Sequence, residues 1–156
     1  YLGISPHTQD LLIQKWTEFH ERNRDNPDAK ILHFCHSQGA IHTYNALARL
    51  PKEIKDRLIV VAIAPAKVIP DHLCSKSYNY ASKNDPIPNG ELLHTCLMIG
   101  GLNEEDQQES LASLAASRKQ LIRLDPHPEA QGIDHAFQSL TFKDTIEKHF
   151  KEYFKD

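Results

Sequence analysis

At 156 residues, 40% hydrophobic and 25% charged, the chain has the composition of one globular domain large enough to bury a core. Its formal charge of −3 at pH 7 argues against the basic footprint of a nucleic-acid binder, and no apolar run approaches the roughly 18 residues of a membrane span. Cys35, Cys74 and Cys96 can neither close a disulfide framework nor supply metal-ligand spacing, which favours a reducing compartment; cytoplasm and export as an effector both stay open.

The chain begins at Tyr1 and its only methionine is Met98, which points to a fragment or processed product. Ser5-Pro6 reads as a helix start, with serine at the cap and proline in the first turn. Leu11, Leu12, Trp16 and Phe19 then form one apolar helical face, and Asn23, Asn26 and Pro27 end the helix. Residues 31–34 are a short apolar strand. A helix is expected over 38–50, with Ala40, Tyr44, Leu47 and Leu50 facing a sheet, until Pro51 breaks it. Residues 58–64 are almost continuously apolar, as in a strand buried on both faces of a parallel sheet.

Residues 76–81 alternate and are rich in strand formers. They end in Ser82-Lys83-Asn84-Asp85-Pro86-Ile87-Pro88. Residues 91–102 fit helix or strand equally. A helix is expected over 104–119, acidic at its start and basic at its end, as the helix dipole favours. Residues 120–124 form a fourth strand. A loop with Pro126, Pro128 and Gly132 delivers His135, and a last helix over about 137–154 directs Leu140, Ile146, Phe150 and Phe154 to the core. Strands alternating with helices imply the α/β class, a mostly parallel sheet with helices on both faces.

The stretch Cys35-His36-Ser37-Gln38-Gly39 demands the sharpest reversal in the chain. It must turn a strand into a helix within five residues. Its central residue is then held in strained geometry, and the side chains two before and two after must be small. Cys35 and Gly39 meet that demand. Ser37 would project above the end of the sheet, with the Gln38 N–H, at the start of the helix, placed to stabilise an oxyanion.

This segment resembles the nucleophile elbow of α/β-hydrolases, normally Gly-x-Ser-x-Gly, with Cys35 in place of the first glycine. Cys-His-Ser-Gln-Gly is also similar to the turn of an uncharacterised chlamydial family of hydrolase-like proteins. Asn84-Asp85-Pro86-Ile87-Pro88 is similar to the acid loop of lipase-like members. The resemblance implies a nucleophile, an acid and a histidine in that chain order, each past a different strand. Ser37, Asp85 and His135 occupy those positions. It further implies a serine esterase or lipase-like enzyme acting on a small-molecule or lipid acyl group, with no cofactor and no metal. The residues match the carboxyl-terminal half of the fold only. Strands before the elbow strand are missing, and with them the second oxyanion donor. The elbow strand should therefore be a sheet edge, covered by another segment or chain.

Each assignment has a rival. Asp85 before a proline is also ordinary turn chemistry. His127, in Asp125-Pro126-His127-Pro128, follows the same strand as His135. His135 is preferred because it directly precedes the last helix. Asp134 is expected to be a loop or cap residue rather than the acid, and the His36 side chain to point away from Ser37. His33 and His36, on a strand and a turn, should not converge on a metal. Two other functions stay open: a catalytically inactive scaffold serving as an interaction module or effector, and thiol chemistry at Cys35.

Overall fold

The structure, a computed structural model, describes residues 5–88, 103–130 and 132–154; the ambiguous segment 91–102, with Cys96, lies outside them. Helix α1 (Pro6–Arg22) leads to strand β1 (Ile31–His36), helix α2 (Gly39–Ala48), a single turn α3 (Lys52–Lys55) and strand β2 (Leu58–Ile63). Strand β3 (Lys76–Ser82), helix α4 (Glu104–Arg118), strand β4 (Leu121–Leu124) and helix α5 (Leu140–Tyr153) follow. The four strands are all parallel, in the order β1-β2-β3-β4. The protein is therefore of the α/β class. Among the described residues no helix is long and apolar enough to cross a membrane.

Strand geometry sends alternate side chains to opposite faces, and two cores result. Leu58, Val60 and Ala62 of β2 join Cys35, Trp16 and Leu47 beneath α1 and α2. Val61 and Ile63 join Tyr80, Phe142 and the partly buried Leu32 and Phe34 on the side of α5. Every residue of β2 is buried, as its continuous apolar run requires. β1 has one neighbour among the described residues, β2, and so forms an edge. Its residues are only partly buried apart from Cys35.

Several local expectations change. Ser5 caps α1 in extended geometry, but its side chain makes no capping hydrogen bond. Leu11 is exposed, and Ile13 joins Leu12 and Trp16 against the core instead. α5 starts at Leu140 rather than near Phe137, because Ser139 is the cap and accepts from the Thr141 N–H at 3.3 Å. That start sets which face is buried. Phe142, Ile146 and His149, spaced four and three apart, turn to the sheet. Leu140, Phe150 and Phe154, expected in the core, are exposed. Phe150 lies beside the sheet edge, stacked on Phe34 at 5.0 Å between centroids.

Two buried polar anchors were not foreseen. The Arg57 guanidinium donates to the carbonyls of Asn23, Asn26 and Ala29 and to His20 Nδ1, at 2.8–3.1 Å. It thereby ties the end of α1 to the start of β2. Burying that cation is tolerable because its donors find acceptors. On the other face the buried His149 meets the Tyr80 hydroxyl through Nε2 at 2.9 Å, and the Tyr78 and Tyr153 hydroxyls lie 3.1 Å apart. These contacts dock α5 on β3.

Candidate active site

Ser37 follows the last residue of β1 and carries φ +50°. That left-handed conformation costs a non-glycine residue about 1–3 kcal/mol unless the surroundings impose it. Here they do. Its N–H donates to the Ile63 carbonyl at 3.3 Å, and its carbonyl accepts from Ala40 and Ala66 N–H, each at 3.1 Å. Three backbone bonds of about 1 kcal/mol each are enough to offset the strain. Ala64, just past β2, is likewise left-handed at φ +46° and is held by an N–H bond to Tyr80 at 2.8 Å. Gln38 follows Ser37 at the cap position of α2.

A Cβ added to Gly39 would lie 3.9 Å from the Cys35 Cβ, an ordinary contact, so an alanine fits there. Cys35 and Gly39 thus leave room for small side chains on either side of the turn, and the left-handed strain falls on Ser37. Cys35 is buried and burial pushes its thiol up to about 12, with a Thr43 hydrogen bond pulling the other way. A protonated, buried thiol is a poor nucleophile.

The chain returns to Ser37 twice. The first approach is Asp85, three residues past β3 and fully buried. Its Oδ1 accepts from the Ile87 N–H at 3.0 Å, the turn-capping bond that an Asp-Pro step favours. Its Oδ2 lies 2.6 Å from His135 Nδ1. The turn role and the histidine contact use different oxygens and coexist. The second approach is His135, in the loop between β4 and α5, whose Nε2 is 2.8 Å from Ser37 Oγ. The structure therefore brings Ser37, His135 and Asp85 into one hydrogen-bonded line.

Proton positions follow from what each partner can do. An ionised carboxylate only accepts, so His135 Nδ1 donates to Asp85. The neutral ring then presents a lone pair at Nε2, and the Ser37 hydroxyl donates to it. Ser37 and His135 are both partly open to solvent while Asp85 is sealed beneath them.

The rivals separate cleanly. His127 is exposed, and its Nδ1 accepts from Glu129 N–H at 3.1 Å within its own turn. His33 lies against Trp16, 5.2 Å between centroids, and beside the Thr43 hydroxyl at 3.0 Å. Burial lowers its imidazole to about 4. His36 points to the opposite face, towards the loop of His135, so these two imidazoles do not converge. Among the described residues no three histidine, cysteine, aspartate or glutamate side chains are grouped to hold a metal ion.

Asp134 is a loop residue before α5, as expected, but it is more extensively bonded than the sequence suggests. Its two oxygens accept from the hydroxyls of Ser139 and Thr141, both at 2.5 Å. Burial alone would raise this carboxyl. The hydroxyls of Ser139, Thr141 and Ser82 outweigh it and hold the carboxyl below its ordinary 3.8. A carboxyl lowered in the folded state stabilises it above the unfolded value and loses that contribution as pH falls through the folded value. Through the loss of those hydrogen bonds Asp134→Asn should cost about 2 kcal/mol at pH 7, with a smaller cost as pH falls below the carboxyl's ordinary 3.8. Thermal melts of both proteins from pH 7 to pH 2.5 check this. Parallel melting curves across that range would refute it.

The contact at this site that sequence reasoning missed is made by His36. Its Nε2 is 2.6 Å from the main-chain oxygen of His135. The alternation of β1 was the available signal: His36 shares the face of Leu32 and Phe34, the side on which the last helix packs. Comparison with protein-family models, with curated proteins and with solved structures found no match.

Proposed function

We propose that this chain carries a serine hydrolase site of the α/β-hydrolase type, acting on ester, thioester or lipid-like acyl groups. The observation that carries the reading is the unbroken line from the Asp85 carboxylate through the His135 ring to the Ser37 hydroxyl, at 2.6 and 2.8 Å. A serine hydroxyl is weakly nucleophilic at neutral pH and needs an oriented base. In this reading His135 Nε2 takes the Ser37 proton as Oγ attacks the acyl carbon. The proton then passes to the leaving alcohol or thiol as the acyl-enzyme forms. Water repeats the sequence to release the acid. Asp85 keeps the proton on Nδ1 and stabilises the imidazolium. The Gln38 N–H, at the amino end of α2, is the donor assigned to the developing oxyanion.

The test is covalent capture. A fluorophosphonate probe incubated with the folded protein should form one adduct, mapped by peptide mass spectrometry to Ser37. Absence of that adduct from correctly folded protein would rule the reading out. One observation favours a second reading, an interaction module without turnover. Among the described residues the strand that presents Ser37 has β2 as its one neighbour, with Phe150 of α5 and Phe154 just past it exposed. That reading expects no adduct.

A further inference from the structure

We propose that His36 is a positioning residue that holds the His135 main chain at working distance from Ser37; the proposal deepens the serine hydrolase reading and rests on it. His36 is the last residue of β1 and the immediate neighbour of Ser37. Its Nε2 lies 2.6 Å from the His135 carbonyl oxygen, across 99 residues of sequence. A carbonyl can only accept, so His36 Nε2 carries a proton and donates it. The two imidazoles sit 5.0 Å apart between centroids, and the edge of His36 faces Phe137 at 6.0 Å.

This contact differs in kind from the others around the base. Asp85 fixes the ring of His135, and Asp134 fixes the loop after it through Ser139 and Thr141. None of these bonds is made to the strand that carries the nucleophile. The bond from His36 is. It leaves the same rigid strand one residue before Ser37 and grips the backbone of the residue that must accept the Ser37 proton. Both ends of the 2.8 Å Oγ···Nε2 contact are thus referred to one strand end. Gly132, Ile133 and Ala136 around the histidine are exposed, and the loop's other holds are the buried Asp134 and the Phe137 ring packed on the core beside α5. A displacement of about 1 Å between nucleophile and base costs on the order of 100-fold in rate, so a short bond that fixes this separation acts on kcat.

Two substitutions separate donation from packing. His36→Phe keeps a ring against Phe137 and removes the donor. His36→Gln places an amide Nε2–H near the position of the imidazole Nε2. We expect His36→Phe to lower kcat for a p-nitrophenyl ester, and the rate of Ser37 labelling, by about 10- to 100-fold. KM should stay within about two-fold, and His36→Gln should recover most of the loss. A second readout does not require turnover. The His135 Nδ1 proton, followed by NMR of the ring nitrogens, should exchange with solvent faster in His36→Phe than in wild type or His36→Gln.

Wild-type rates and exchange in His36→Phe would overturn the proposal. So would a His36→Gln protein no better than His36→Phe. If wild-type protein forms no Ser37 adduct, the hydrolase reading fails by itself. Unchanged Nδ1 exchange in His36→Phe would then independently refute the positioning role.

Discussion

Ser37→Ala is expected to abolish ester hydrolysis, with kcat falling about 10⁵- to 10⁶-fold, equivalent to about 7–8 kcal/mol of barrier. The size follows from what is lost. Without Oγ no acyl-enzyme forms, and only binding and the oxyanion donor remain to assist direct attack by water. The fold should survive. Alanine accepts the φ of +50° at a cost similar to serine, and the backbone bonds to Ile63, Ala40 and Ala66 do not involve the side chain. The melting temperature should therefore stay within a few degrees of wild type, which keeps a loss of activity interpretable. Hydrolysis of short and medium p-nitrophenyl esters by purified wild-type and Ser37→Ala protein decides the matter. Equal turnover in the two proteins would remove Ser37 from the chemistry.

Asp85→Asn should be the next most damaging change, lowering kcat about 10³- to 10⁴-fold, or about 4–5 kcal/mol, with KM little altered. The substitution preserves shape, and asparagine Oδ1 can still accept from Ile87 N–H, the bond that shapes the turn. What changes is the partner of His135 Nδ1, now 2.6 Å from a carboxylate oxygen. An amide NH₂ in that place donates, so Nδ1 must accept and the ring proton moves to Nε2. The nitrogen facing Ser37 is then already protonated and cannot act as base. Asp85→Ala is less informative, because it also opens a hole in a fully buried position and leaves the Ile87 N–H without its acceptor. Asp85→Asn activity within ten-fold of wild type, in protein that melts normally, would show that the carboxylate only builds the turn.

The elements legible in the sequence were those whose causes are local. The apolar run at 58–64, the alternation at 76–81, Pro6 at a helix start and Pro51 at a helix end each act within a few residues. The corresponding strands and helices stand where those signals place them, to within two or three residues at most ends. Ser37 was legible for the same reason. A strand must become a helix around it, and the turn chemistry is written in five consecutive residues.

What required the folded chain was every relation between distant segments. The choice between His127 and His135 could not be read from spacing, since both follow β4; the structure puts one in its own exposed turn and the other 2.8 Å from Ser37. The burial of Phe142 instead of Phe150 depends on where α5 begins, which the Asp134, Ser139 and Thr141 network decides. Arg57 sits at the head of an apolar strand, yet its role lies in three carbonyls from another part of the chain. His36 is held by an oxygen 99 residues away. Periodicity and turn chemistry act along the chain, within a few residues, so they determine strands, helices and the serine turn. Hydrogen bonds act through space, and a carboxylate, an imidazole and a hydroxyl share one line only after four strands have set their ends side by side.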